Sequence, residues 1–306
     1  MGISQYLKDI GRGKEGARSL SRAQAADLMG QLLDGTLTDL EIGAFCLAMR
    51  IKGETAQEMA GFLDATEPRL ARVPAGAQPL VVLPSYNGAR KLPLLTPLLG
   101  LLLARRGLAV LMHGTATEDA RVPAQAVLAA LSIEPLQQVR AIAAGELAFA
   151  PTALLCPALE QLLAVRRVVG LRNPAHSLVK QMNPSQGRAF IVASHTHPEY
   201  AVSMAAVFAE MRSSGMLLRG TEGEPVADAR RTPAMQCFID GVAIDAVAAQ
   251  GGTLSQLPDL PASIDAQTTA TYTRAVLEGT LPVPAPLLQQ VDRIVQTLES
   301  MQEGSS

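Results

Sequence analysis

The run Ser85-Tyr86-Asn87-Gly88-Ala89-Arg90 stands where a chain can hold a phosphate. It follows the apolar stretch 80–83 and precedes the apolar stretch 92–104, so a strand, a loop and a helix are expected in that order. In such an arrangement loop N–H groups and the positive end of the helix face an anion. Close approach of a phosphate calls for several glycines, whose backbone readily takes φ > 0. This loop has one, Gly88, beside the bulky Tyr86. The place for a phosphate cradle is present, and most of the residues that would equip it are absent.

Other residues could serve the same cleft. His113-Gly114 closes the strand-like run 108–112; His113 could still bind a ligand, though a hydrogen-bonded structural histidine is the preferred reading. Glu222 and Glu224 flank Gly223. They could hold magnesium, or fix their own loop by accepting bonds from Arg219, Arg230 or Arg231, and the second reading is preferred. His195 and His197 are spaced to share one strand face. With no cysteine near and Glu199 the only local carboxylate, a turn or domain contact outweighs a metal there. His176 is placed to cap or hydrogen-bond near a helix over 174–181. Cys46, Cys156 and Cys237 are far apart and read as inert thiols in a reducing compartment.

Composition bounds the rest. The 306 residues can bury one large core or two modest ones, and 48% of them are hydrophobic. With 26 basic and 28 acidic residues, total charge makes no case for a nucleic-acid partner. Its distribution is uneven: 76–231 holds 15 Lys/Arg against 10 Asp/Glu, whereas 232–306 holds 2 against 8. The first 16 residues carry charges and no apolar core, unlike a secretory signal. The 92–104 run is short and broken by Pro93 and Pro97, so no membrane span is expected and a cytoplasmic location is.

The elements that must position these residues fall into two regimes. Ser21, Thr38 and Thr55 read as N-caps of three helices, the first over 22–33 with Gly35 as its stop and the third over 56–63. The segment 67–78, with Pro68, Pro74 and Gly76, reads as a linker. Beyond it, apolar runs at 80–83, 108–112, 190–193 and 216–218 alternate with helical patterns at 122–131, 157–169 and 200–212. That alternation predicts α/β architecture with a mainly parallel sheet. A turn-rich excursion over 251–263, late helices over 268–278 and 286–299, and a frayed tail from Gln302 complete the chain. The predicted division is a helical domain over 1–70, with helices from about 155–186 packing on it, and an α/β domain over 77–154 and 187–306.

The N-terminal motifs are specific. Leu20-Ser21, Gly35-Thr36-Leu37-Thr38-Asp39, Ile42-Gly43-Ala44-Phe45 and Ala48-Met49-Arg50-Ile51-Lys52-Gly53-Glu54-Thr55 closely resemble the helical domain of anthranilate phosphoribosyltransferase, in glycosyltransferase family 3, the nucleoside phosphorylase group. The resemblance implies a small helical domain plus an α/β domain, dimeric through the helical domain. It also exposes departures. Ser85-Tyr86-Asn87-Gly88-Ala89 stands for the enzymes' Gly-Thr-Gly-Gly-Asp loop, and Pro93-Leu94-Leu95-Thr96-Pro97 for their Asn-x-Ser-Thr turn. Met112-His113-Gly114-Thr115-Ala116 stands for Lys-His-Gly-Asn-Arg, and 220–224 for the metal-binding Asp-Glu pair. Each missing charge-assisted hydrogen bond to a buried phosphate costs roughly 1.5–3 kcal/mol. Together the departures cost on the order of 5 kcal/mol, several thousandfold in affinity or rate. Arg90 and Lys91 compensate in part.

Arg172-Asn173-Pro174-Ala175-His176-Ser177-Leu178-Val179-Lys180, Asn183-Pro184 and Leu217-Leu218-Arg219-Gly220-Thr221-Glu222-Gly223-Glu224 resemble the YbiB-like subfamily. That resemblance implies a homodimer that binds DNA, possibly RNA, without sequence preference, on a scaffold degenerate for phosphoribosyl transfer. The basic set Arg166, Arg167, Arg172, Lys180, Arg188, Arg212, Arg219, Arg230 and Arg231 is the expected nucleic-acid-binding groove. With four Tyr, six Phe and no Trp, backbone contact is favoured over base stacking. No catalytic residue is assigned; the relic cleft is His113, Gly114 and Arg90. The alternative is a glycosyl or phosphoribosyl transferase acting on a non-standard substrate through His113, Arg90 and Glu222/Glu224. Magnesium is expected only in that case, and otherwise no cofactor. A third reading is a sensor whose cleft binds a nucleotide.

Overall fold

The computed structural model describes residues 2–13, 15–254 and 257–303. The N-terminal part is helical: α1 Ser4–Ile10, α2 Arg22–Leu33, α3 Asp39–Lys52 and α4 Ala56–Thr66. Three capping boxes start the last three of these. Ser21, Thr38 and Thr55 each accept from the N–H three residues on, and Gln24, Glu41 and Glu58 reach back to the cap N–H. Two orphan donors are thereby satisfied at each helix start.

The second part is a seven-stranded sheet. Its strands are β1 Leu80–Ser85, β2 Val110–Gly114, β3 Leu147–Pro151, β4 Ala189–His195, β5 Gly215–Arg219, β6 Met235–Ile239 and β7 Val242–Val247, in the order β3-β2-β1-β4-β5-β6-β7. The first five are parallel, with Val82 opposite Leu111, Val81 opposite Phe190 and Ala193 opposite Leu217. The antiparallel hairpin β6–β7 extends one edge. Helices α5 Thr96–Arg105, α6 Ala124–Ala130, α7 Thr152–Leu155, α8 Pro157–Val169, α9 Ala175–Leu178, α10 Pro198–Met211, α11 Ala266–Leu277 and α12 Ala285–Glu303 complete the fold.

The central strands are buried on both faces, so their side chains divide between two cores. Val82, Leu111, Ile191 and Leu217 join Leu28, Met29, Phe45 and Phe62 of the helical part. Val81, Leu83, Val110 and Phe190 join Leu98, Val127, Leu287 and Ile294 on the other side. The expected fold class, a small helical domain with a mainly parallel α/β domain, is therefore what forms. Helices α8 and α9 pack on α2 and α4.

Several local expectations change. The helix expected over 174–181 shrinks to the four-residue α9. β4 ends at His195, and His197 is the N-cap residue of α10, so the two histidines do not share a strand face. The chain is helical through Glu303 rather than frayed from Gln302, and 304–306 lie outside the described residues. All three cysteines are buried and unpaired, and burial raises the Cys46 thiol to about 11. Among the described residues no helix is long and apolar enough to cross a membrane.

Candidate anion-binding cleft

In the parallel part of the sheet the strand order reverses between β1 and β4, which opens a crevice outside the strand ends there. Ser85 ends β1, His113-Gly114 ends β2, His195 ends β4 and Arg219 ends β5. The loop after β1 is therefore on the expected cleft, and its N–H groups are already occupied. Asn87 and Gly88 donate to Glu224 Oε1 at 2.7 and 2.8 Å. Glu224 Oε2 accepts from Ser85 Oγ and from Thr96 Oγ1. Arg90 N–H donates to Glu222 Oε2 at 2.7 Å and Lys91 N–H to Glu222 Oε1 at 3.0 Å. Two carboxylates of the chain thus sit where a bound anion would take backbone N–H groups.

Close packing makes this possible. Gly88 has φ +70°, and a Cβ there would lie 2.7 Å from Val122 O. Gly223 has φ +87°, and its Cβ would overlap the Asn87 amide. Asn87 donates to Glu222 O, while Lys180 Nζ and Ser194 Oγ both donate to Gly223 O at 2.8 and 2.7 Å. The remaining space beside the loop is about 10 Å³, too small for a phosphate.

The carboxylates accept from backbone N–H and hydroxyl groups rather than from Arg219, Arg230 or Arg231 as the sequence suggested. The pair therefore holds loop structure, as the preferred reading has it, with different donors from those expected. Each Glu224 oxygen already takes two donors, and the residue is 1% exposed. A magnesium ion needs those lone pairs, so the pair as placed does not fit one. Among the described residues no cluster of His, Cys, Asp and Glu could hold a metal.

His113 is fully buried, with Nδ1 2.8 Å from Tyr86 Oη, which accepts from Thr152 Oγ1. Burial lowers the imidazole to about 3 and raises the Tyr86 phenol. A neutral, enclosed ring is poorly placed for acid–base chemistry near pH 7. Gly114 ends β2 beside it, and the Arg90 backbone is bound to Glu222.

The nine basic residues do not share one surface. Arg166 and Arg172 converge with Arg121 on Glu118, at 2.6, 3.4 and 3.1 Å, and Arg167 pairs with Asp119. Lys180 is buried, and burial lowers its ammonium to about 8. Arg188 and Arg212 precede β4 and β5 and line a cavity of about 200 Å³ at the opposite ends of those strands, so they leave the expected groove. Arg230 is bound to Asp228 but also lies within electrostatic reach of Glu222. Arg231 donates to the carbonyls of Gln250 and Gly252. Arg219 is exposed at the end of β5, with no side-chain hydrogen bond or ion pair among the described residues. The same holds for Arg90 and Lys91, the second of which the expected set omits.

Sequence reasoning missed Glu118, two of whose partners, Arg166 and Arg172, lie 48 and 54 residues away. It also missed a second cavity of about 320 Å³ between the helical part and the end of β4. Arg50, Arg172, His176, Lys180, His195 and Tyr200 line it. Burial first, then the nearby Arg172 charge, lowers His176 to about 3.

Comparison with known proteins places this geometry. Residues 4–66 match the family model "Glycosyl transferase family, helical bundle domain". The uncharacterized protein YbiB of Escherichia coli is 37% identical over 95% of this chain and 92% of its own length. The anthranilate phosphoribosyltransferase of Methanopyrus kandleri is 27% identical over 92% of this chain and 85% of its own. The structure of the Thermus thermophilus enzyme of that name superposes with a TM-score of 0.71 at 20% identity, covering 94% of this chain and 85% of that one. On its helical domain, its sheet and its likeness to YbiB along nearly the whole chain, this protein belongs to the anthranilate phosphoribosyltransferase-like glycosyltransferase family.

Proposed function

We propose that this protein binds nucleic acid through the sugar-phosphate backbone, as a homodimer, on a transferase scaffold whose own anion site is filled from within. One observation carries the reading: the N–H groups of Asn87, Gly88, Arg90 and Lys91 are taken by Glu224 and Glu222. A phosphoribosyl diphosphate would have to displace both carboxylates and, among the described residues, would find no free site for its metal. What stays open to a polyanion is the lip of the cleft, where Arg90, Lys91 and Arg219 carry charge with no ion-pair partner among the described residues, with Arg172 and Arg230 nearby. Contacts of this kind read charge rather than sequence and weaken steeply with salt. The dimer is supported by an exposed apolar stripe on α3, with Leu40 82%, Leu47 46% and Ile51 55% exposed.

The test is a fluorescence-anisotropy titration of a labelled oligonucleotide at two salt concentrations, with phosphoribosyl diphosphate and magnesium as competitor. Salt-sensitive binding that persists in the presence of the competitor is the expected result. Arg90→Ala/Lys91→Ala/Arg219→Ala should weaken it at least tenfold and flatten the salt slope, whereas Arg188→Ala/Arg212→Ala leaves it unchanged. Failure to bind at low salt overturns the reading. A second reading, a small anionic ligand, has its own support in the cavity of about 320 Å³ lined by Arg172 and His195. A screen of sugar phosphates and nucleosides by thermal shift addresses it.

A further inference from the structure

The two carboxylates in the loop are not equivalent. Glu224 is enclosed, and two hydroxyls and two N–H groups saturate it. Glu222 is only half-buried, and its bonds to the N–H groups of Arg90 and Lys91 are exposed. Its own backbone sits at φ +53°, ψ +20°, a region that a β-carbon disfavours. The side chains of Arg90 and Lys91, the two residues whose N–H groups it accepts from, are exposed and have no hydrogen bond or ion pair among the described residues. Arg230 is also within electrostatic reach. Two convergent N–H donors carried by cationic residues, with Arg230 within electrostatic reach, form a receptor for an oxyanion, and two oxygens of a phosphate match a carboxylate as acceptors.

We propose that the Arg90–Lys91 amide pair is a phosphate-binding site that Glu222 occupies in the ligand-free chain, and that an incoming phosphate displaces the carboxylate. The inference rests on the phosphate-binding reading above and adds the site and the mechanism of entry. If Glu222 stayed in place it would repel the phosphate; once released, it leaves two backbone donors, on residues whose own side chains are cationic, for the new anion. Glu224 holds the rest of the loop throughout. Glu222 then acts as a threshold: a phosphate engages only by outcompeting the internal ligand.

Binding of inorganic pyrophosphate and of a labelled oligonucleotide to the full-length wild type, Glu222→Ala and Glu222→Gln tests this. Backbone amide resonances of Arg90 and Lys91 are followed in the pyrophosphate titration. Glu222→Ala should bind pyrophosphate about tenfold tighter than wild type, because a like charge has gone from the site. The two amide resonances should move on titration. A parallel gain for the oligonucleotide assigns the site to backbone phosphate, and a gain for pyrophosphate alone assigns it to a free diphosphate. Unchanged or weaker pyrophosphate binding with unmoved amides overturns the proposal, even where the wild type binds the oligonucleotide. A pyrophosphate gain without any oligonucleotide binding supports the site and removes the nucleic-acid reading instead. Should Glu222→Ala fail to fold, Glu222→Gln decides, since it keeps the shape and removes the charge; no gain there overturns the proposal.

Discussion

Glu118 shows how much of the cleft's charge is settled internally. Burial pushes its carboxyl up, but hydrogen bonds from Arg166 and Arg121 outweigh that and hold it at about 2, against an ordinary 4.5. The stability it contributes is complete above pH 4.5 and is lost as pH falls from there toward 2. Discounted for the partial exposure of the group, this is about 2 kcal/mol. Glu118→Gln should therefore be about 2 kcal/mol less stable than wild type at pH 7, with the gap closing toward pH 2, as read by urea unfolding across that range. An equal gap at every pH would mean that packing, not charge, is what the substitution removes. The sequence showed the impoverished loop at 85–90 plainly, because a missing glycine is a local fact. It could not show that residues 222 and 224 fill that loop, because the contact joins positions more than 130 apart in the chain.

At the scale of elements, the three capping boxes differ in burial, and that difference sets their worth. Thr38 and Glu41 cap α3 in solvent, so Thr38→Ala should cost about 1 kcal/mol. Glu58 is fully buried and accepts from Thr55 N–H, Leu20 N–H and Lys52 Nζ. Glu58→Ala strands an ammonium and two amides and should cost about 3–5 kcal/mol. Denaturant midpoints of the two variants check the ratio; equal losses would overturn it. The caps were legible because Ser or Thr followed three residues on by Gln or Glu is a sequence signature. The strands at 80–83, 108–112, 190–193 and 216–218 were legible because strands buried on both faces read as apolar runs. β3 was not, being five residues rich in alanine and ending in Pro151. The hairpin β6–β7 was missed for another reason: Gln236 interrupts its apolar pattern, although Asp240-Gly241 between two runs is a hairpin signal.

For the whole molecule, the basic groove expected from sequence divides between the two ends of the strands, because β4 and β5 carry Arg188 and Arg212 at one end and Arg219 at the other. On the proposed nucleic-acid reading, binding strength should depend on bringing two lips together in a dimer. Leu47→Glu/Ile51→Glu on the α3 stripe should leave a folded monomer by light scattering. Its oligonucleotide affinity should fall at least tenfold through loss of the second lip; a variant that stays dimeric would exclude this face. One bond bears on how such a molecule comes apart. Lys180 lies just past α9, which rests on α4, and it donates to Gly223 O in the turn beyond β5. It joins the part of the chain seated on the helical bundle to the part that carries the cleft lip. With a core that already runs from Phe62 to Leu217, the bond makes bundle and sheet one mechanical piece. On heating, bundle and sheet should therefore melt in a single calorimetric transition; two resolved transitions would exclude this.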